Sequence, residues 1–268
     1  MRTPPPPEVI EAFGATGVPS LLRGGRGNAW RVGELVLRPA DNREPPLAWQ
    51  RDTFASIADV HFRVSLPCRT LVGDFESAGW CAWQFMEGVH EEGRWREIIA
   101  VGELFHGALA GVAEPDFIGR RSDPWAIGDR VAWGDLPAES FTQVKHLADL
   151  VAVRRPLHSR RQLVHGDLTG NVLFAKALAP AIIDFSPFWR PPGYASAIVV
   201  ADALVWEGAD ESLLEAVAHI LNFPQFLLRA LIMRAVVDRL FRDGEPTRQN
   251  EPDPFLGAVE IACRLATN

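Results

Sequence analysis

Residues 163–174 read Leu163-Val164-His165-Gly166-Asp167-Leu168-Thr169-Gly170-Asn171-Val172-Leu173-Phe174. An apolar run ends in a turn that carries an acid, an amide follows four residues later, and a second apolar run begins. That order predicts two strand-like arms joined by a loop that holds a carboxylate and an amide together, facing a cleft. Phosphoryl transfer uses such a pair: a carboxylate to orient and deprotonate a hydroxyl, and a nearby oxygen ligand for Mg²⁺. His165-Gly166-Asp167 alone is also the sequence of an ordinary turn, so the reading depends on what stands elsewhere.

Thirteen residues beyond Asn171 the chain reads Ala181-Ile182-Ile183-Asp184-Phe185-Ser186. A short apolar strand delivers an aspartate at its end. Mg²⁺ is a hard ion that takes carboxylate and carbonyl oxygens along with phosphate, so Asn171 and Asp184 on two arms of a hairpin can share one or two such ions. Nearer the start stands Gly24-Gly25-Arg26-Gly27-Asn28-Ala29-Trp30, followed by Val36-Leu37-Arg38-Pro39. Glycines let backbone N–H groups approach phosphate closely, and a cation on the next strand holds the α- and β-phosphates. The only lysines are Lys145 and Lys176, so Arg38 is the candidate cation of that strand. A guanidinium is always charged and grips phosphate with two prongs. Asp52 or Glu44 is expected to orient it, and Arg23 and Arg26 of the turn are the alternative cations.

Working outward, short β-prone runs at 20–22, 29–32 and 35–38 are punctuated by Gly-rich turns and predict an antiparallel meander. A helix is expected over 47–58, opened by Pro45-Pro46, with further strands over 68–74 and 79–85. After Gly88 the period changes. Trp95, Ile98, Ile99, Gly102, Phe105 and Leu109 follow helical spacing, which predicts an amphipathic helix over 94–111. Helical patterns recur at 141–153, 211–221, 224–241 and 256–266. A β-rich first third thus precedes an α-rich remainder, joined near 84–89.

Together the segments 163–174 and 181–186 resemble the catalytic and metal-binding loops of the aminoglycoside-phosphotransferase and choline-kinase-like superfamily, relatives of the protein kinases. The resemblance implies an α+β, protein-kinase-like two-lobe fold, with a small antiparallel β-sheet N-lobe and a mainly helical C-lobe. The order of elements agrees. The expected layout is a flexible lead-in over 1–7, a nucleotide-binding N-lobe over 8–88, and a helical C-lobe over 89–268 that holds both loops. By this likeness Asp167 is the catalytic aspartate, His165 supports its loop, and Asn171 and Asp184 hold Mg²⁺. Gly24, Gly25, Gly27, Asn28, Arg38, Gln84 and Met86 are then the residues that bind ATP or GTP. The segments 123–134 and 185–191 look like a branch of hypothetical proteins in that superfamily which brings no substrate with it. One departure stands out: the spacing from Asp167 to Asn171 is one residue shorter than the family's usual. That moves the amide by up to about 3 Å unless the loop is rebuilt around Gly170.

Bulk composition fits this picture. Hydrophobic residues make up 47% and charged residues 23% of 268, an ordinary globular balance. The net charge of −7 disfavours a nucleic-acid partner, and the acidity is concentrated after residue 90, which leans towards a neutral or cationic acceptor. Cys68, Cys81 and Cys263 show no metal spacing and suit a reducing compartment. The proline-rich start lacks a signal core, and charges interrupt the apolar stretch 226–241, so a cytoplasmic protein with no membrane span is expected. Asp202 is read as a brace for the catalytic loop, Trp125 and Trp133 as core, and His106, His146 and His158 as packing or surface residues. The expected function is Mg²⁺-dependent transfer of the terminal phosphoryl group of ATP or GTP to a hydroxyl of a small metabolite or antibiotic. The alternative is a catalytically silent pseudokinase that senses nucleotide or binds a partner.

Overall fold

The computed structural model describes residues 3–22, 24, 27–41, 45–57, 61–242 and 252–267. Helix α1 (Pro7–Ala12) opens on a proline, tolerated there because the first helical N–H groups have no intrahelical partner. Strands β1 (Ser20–Leu21), β2 (Trp30–Val32) and β3 (Leu35–Pro39) precede helix α2 (Leu47–Ala55). Short strands β4 (Arg63–Val64), β5 (Pro67–Cys68) and β6 (Glu76–Ser77) lead to β7 (Trp80–Gln84). Helices α3 (Trp95–Leu109), α4 (Pro124–Trp133) and α5 (Leu147–Ala152) come next. Strand β8 (Gln162–His165), the hairpin β9 (Val172–Ala175) and β10 (Leu178–Ile182), and β11 (Pro187–Arg190) follow, then α6 (Pro192–Trp206), α7 (Phe223–Phe241) and α8 (Leu256–Thr267).

The chain divides into two compact units, Met1–Glu91 with Gly170–Ser186, and Glu92–Thr169 with Pro187–Asn268. The β9–β10 hairpin thus groups with the first unit, whereas the sequence reading set it among the helices.

In the first unit an antiparallel sheet runs β1-β2-β3-β7-β5, with β6 also on β7. Alternation along β3 decides what each face does. Leu37, paired with Ala82, is fully buried and joins Val9, Phe13 and Val32 in a core. Arg38, paired with Cys81, projects from the opposite face. A second sheet, β4-β10-β9, sets β10 parallel to β4 and antiparallel to β9. The strand expected over 68–74 stops at Cys68. Thr70 and Asp74 close a turn instead, with Thr70 N donating to Asp74 O at 2.7 Å and Asp74 N to Thr70 Oγ1 at 3.0 Å. The apolar pair Leu71-Val72 that suggested a strand lies exposed on that turn. Helix α2 ends at Ala55, short of the expected 58, which lies outside the described residues.

The second unit is built around α7, buried along nearly its whole length because α4, α5, α6 and α8 all pack on it. Helix α4 comes closest: a Cβ on Gly128 would stand 2.8 Å from the Met233 carbonyl oxygen. Helix α4 was not read from the sequence, although its ends carry strong signals. Asp123 Oδ1 accepts from Ala126 N at 3.2 Å, Pro124 fills the first turn, and Gly134 ends the helix at φ 80°. The helix expected over 141–153 is reduced to α5 after a 3₁₀ turn, Ala138–Phe141, and the one over 211–221 is 3₁₀ over Glu211–Val217. Strands β8 and β11 pair antiparallel, His165 opposite Pro187. The expected α+β class holds. Among the described residues no helix is long and apolar enough to cross a membrane.

Candidate functional site

The expected residues fall into two sets, one in each unit. In the first unit the β9–β10 pairing continues one step past Val172 and Ile182, Ile183 N donating to Asn171 O at 3.0 Å. Asn171 and Asp184 therefore emerge at the same end of the hairpin. Asp184 takes a left-handed backbone, φ 48°, a conformation that aspartate tolerates better than most residues. The next residue is anchored: the Phe185 ring packs edge-on to Phe54 at 4.9 Å and stacks near Trp49, both on α2. Arg38 Nη1 donates to Asp184 Oδ1 at 2.8 Å, and its guanidinium lies over the Trp83 ring at 4.1 Å. Neither Asp52, which is exposed on α2, nor Glu44, outside the described residues, had to be invoked to give Arg38 a carboxylate. Asp184 supplies it. The pair is half open to solvent, 22% and 51% exposed. A contact of that kind is worth about 0–1 kcal/mol and yields to a competing ion.

The glycine turn closes on itself, Gly27 N donating to Gly24 O at 3.0 Å, both glycines at positive φ and Asn28 half-buried beside them. Gly25, Arg23 and Arg26 lie outside the described residues. Gln84 ends β7, its N–H bonded to Leu66 O and its carbonyl to Ser65 Oγ, and Met86 follows half-buried. The shortened loop turns at Gly170, φ 79°, where none of the described residues crowds the missing side chain.

In the second unit β8 delivers His165 fully buried. Its ring Nδ1 accepts from Asp167 N at 3.1 Å, so the side chain braces the turn that follows it. Its backbone N–H donates to His106 Nε2 at 3.0 Å. His106, on α3, is 1% exposed, and burial, helped by the neighbouring His165, lowers its pKa to about 3. It is therefore a neutral acceptor that fixes the end of β8. Gly166 is required by packing, because a side chain there would overlap the Phe188 ring.

Asp167 is not held by its own loop alone. Arg234, from the middle of α7, donates Nη2 to Asp167 Oδ1 at 2.7 Å. The same guanidinium grips Asp202 of α6 with Nε at 2.7 Å and Nη2 at 2.6 Å. Burial alone would push Arg234 down, but Asp202 and Asp167 outweigh it and raise its pKa. Burial pushes Asp202 up, against the pull of Arg234. Asp202 thus braces Asp167 through an arginine. Neither Arg234 nor His106 was singled out from the sequence for such a role.

A second buried ion pair joins β11 to α4. Arg190 reaches Asp129 at 2.6 Å and the more exposed Asp135 at 2.7 Å, and its guanidinium faces the Trp133 ring at 4.9 Å. Trp133 packs edge-on to the fully buried Tyr194, and Trp125 likewise to Phe241, so both tryptophans are packing residues. A cavity of about 170 Å³ beside Phe188, Trp189 and Arg190 is below the size that takes drug-sized ligands.

No protein-family model matches the chain, and no curated protein matches it. Solved structures do. The AMP-bound spectinomycin phosphotransferase APH(9)-Ia superposes with a TM-score of 0.61 at 14% identity, covering 97% of this chain and 96% of that one. The fold is that of the aminoglycoside phosphotransferases. A thermostable mutant of APH(4)-Ia without ligand gives 0.56 at 18% identity over 97% and 98% of the two chains. An aminoglycoside phosphotransferase from Alicyclobacillus acidocaldarius gives 0.56 at 14% over 100% and 93%. The resemblance read from 163–174 and 181–186 therefore stands, at the level of the aminoglycoside-phosphotransferase fold, over nearly the whole chain.

Proposed function

We propose that this chain transfers the terminal phosphoryl group of ATP or GTP to a hydroxyl of a small molecule. The observation that carries the reading is the open end of the β9–β10 hairpin, where Asn171 and Asp184 emerge together and Arg38 stands against Asp184. An amide oxygen and a carboxylate are hard donors that suit Mg²⁺, which usually keeps several waters and takes its remaining ligands from substrate phosphate. A guanidinium already lies against this carboxylate, so the position favours positive charge. When bound, the ion neutralises charge on the phosphates. Asn171 and Asp184 hold it, Arg38 holds the α- and β-phosphates, and the turn of Gly24, Gly25, Gly27 and Asn28 offers backbone N–H groups. Gln84 and Met86 are the residues for the base. Asp167 accepts the proton of the acceptor hydroxyl, with His165 holding its turn.

Support comes also from the neighbours in fold. Spectinomycin phosphotransferase has been solved with ADP and spectinomycin, and APH(4)-Ia with AMP-PNP and hygromycin B. The acidity of the chain after residue 90 favours a neutral or cationic acceptor here. One feature favours a second reading, a nucleotide-sensing protein without turnover: arginines occupy an oxygen of both Asp184 and Asp167. Incubation with γ-labelled ATP or GTP, Mg²⁺ and a panel of aminoglycosides and metabolite alcohols separates the two. Labelled acceptor supports transfer. Thermal stabilisation by Mg²⁺ and nucleotide without label transfer supports the sensor. Neither response would sink both.

A further inference from the structure

The guanidinium of Arg234 makes three hydrogen bonds of 2.6–2.7 Å, two to Asp202 and one to Asp167. The side chains of Arg234 and Asp202 are 7% and 6% exposed, whereas that of Asp167 is 34% exposed. A neutral buried pair is already complete with Arg234 and Asp202 alone. Charge balance does not call for a second carboxylate, and a one-third-exposed aspartate can be hydrated without help. The third bond therefore settles where the Asp167 carboxylate points. Geometry makes the setting firm. A guanidinium is a rigid planar fork, so the two-pronged grip of Asp202 fixes its plane and aims the other N–H of Nη2 at Asp167 Oδ1. Both anchors sit on α6 and α7, the most deeply buried helices of the second unit, and not on the loop they steady.

We propose that Arg234 is a positioning residue for Asp167, with Asp202 as its anchor. The inference rests on the phosphotransfer reading, in which Asp167 must meet a hydroxyl in one orientation. Misplacing such a group by about 1 Å costs roughly 10²-fold in rate. Arg234→Lys keeps the charge but cannot hold Asp202 with two prongs and Asp167 with a third.

The test uses the full chain with ATP and Mg²⁺, following phosphate transfer to the best aminoglycoside acceptor, or to water if none is found. Arg234→Lys is expected to lower kcat about 10–10²-fold while KM for ATP stays within about twofold. An unchanged kcat in a folded variant overturns the proposal. Should Arg234→Lys fail to fold, Arg234→Met with Asp202→Leu removes both buried charges at once and carries the same expectation. A double-mutant cycle of Arg234→Lys and Asp167→Asn, read as urea midpoints, tests the contact without turnover. Non-additive losses are expected, and strict additivity overturns it. A wild-type chain that transfers no phosphate overturns the phosphotransfer reading, and the cycle alone then decides the contact.

Discussion

Arg38 donates to Asp184 and lies over the Trp83 ring, so two side chains of the first unit hold its guanidinium in the absence of ligand. Arg38→Lys keeps the charge and loses the fork and the flat stacking surface. Affinity for ATP with Mg²⁺, measured by titration calorimetry, should fall about tenfold, the order of 1–2 kcal/mol expected for a charged hydrogen bond, and further in Arg38→Ala. Binding equal to wild type in both would take Arg38 out of the nucleotide site. His106 yields a prediction of another kind. Folded, it protonates near pH 3, and unfolded near its ordinary value of about 6.5. Between those values the unfolded chain binds the extra proton, so stability rises with pH there, is complete above about 6.5, and is lost as pH falls below it. The loss from this one group approaches about 1.4 kcal/mol per pH unit. Urea midpoints from about pH 7 to pH 5 should fall more steeply for wild type than for His106→Gln, and parallel curves would clear His106 of the effect. The placement of Asp167, Asn171 and Asp184 at strand ends and turns was legible at this scale because a strand–turn–strand pattern frames them. Arg234 and His106 were not: His106 falls on the apolar stripe of 94–111, four after Gly102 and three before Leu109, which places it inside without naming its partner, and Arg234 stands in a helix buried on most sides.

Among the elements, α4 shows how a local signal goes unread. Asp123-Pro124 and Gly134 are the start and stop of a helix, yet the segment between holds Gly128 and few periodic apolar residues. Glycine is there for the crossing with α7. Alanine is the better helix former by up to about 1 kcal/mol, but its Cβ would press on the Met233 carbonyl oxygen and the Val237 side chain at 2.8 Å. Backbone cannot step aside as a flexible side chain does, and overpacking costs about 1–3 kcal/mol. Gly128→Ala should therefore lower the urea midpoint, and a raised midpoint would show the crossing to be loose. The strand expected over 68–74 failed for the opposite reason. Leu71 and Val72 look like strand residues, but Thr70 and Asp74 clasp each other across them, and that side-chain choice outweighs β propensity.

At the scale of the whole molecule, the order of β-rich and α-rich stretches gave the α+β class, while the division into units was hidden by strand pairing between distant segments. Arg63 pairs with Ala181, 118 positions further on, and Val64 with Ile182. Pairing of that range leaves no trace in local periodicity. The second unit hides its own logic in charge: Arg190 with Asp129, and Arg234 with Asp202, are buried pairs, and of the four residues the sequence reading gave only Asp202 an inward role. Breaking one by removing a single partner costs about 3–5 kcal/mol, far more than the pair contributes net.

The chain leaves the first unit at residue 91 and comes back to it for residues 170–186. On a ribosome, β4 emerges long before β10 exists to cover it. At about 5–20 residues per second the wait is on the order of ten seconds. During that time β4 lacks the strand that pairs with it and offers an unpaired edge to other chains. The gene cannot be cut into two independently folding pieces at the point where β gives way to α. A fragment of residues 1–91 is expected to aggregate when expressed alone. Residues 170–186 appended through a flexible linker should bring it back into the supernatant, and a freely soluble, cooperatively unfolding 1–91 would show that the returning hairpin is dispensable.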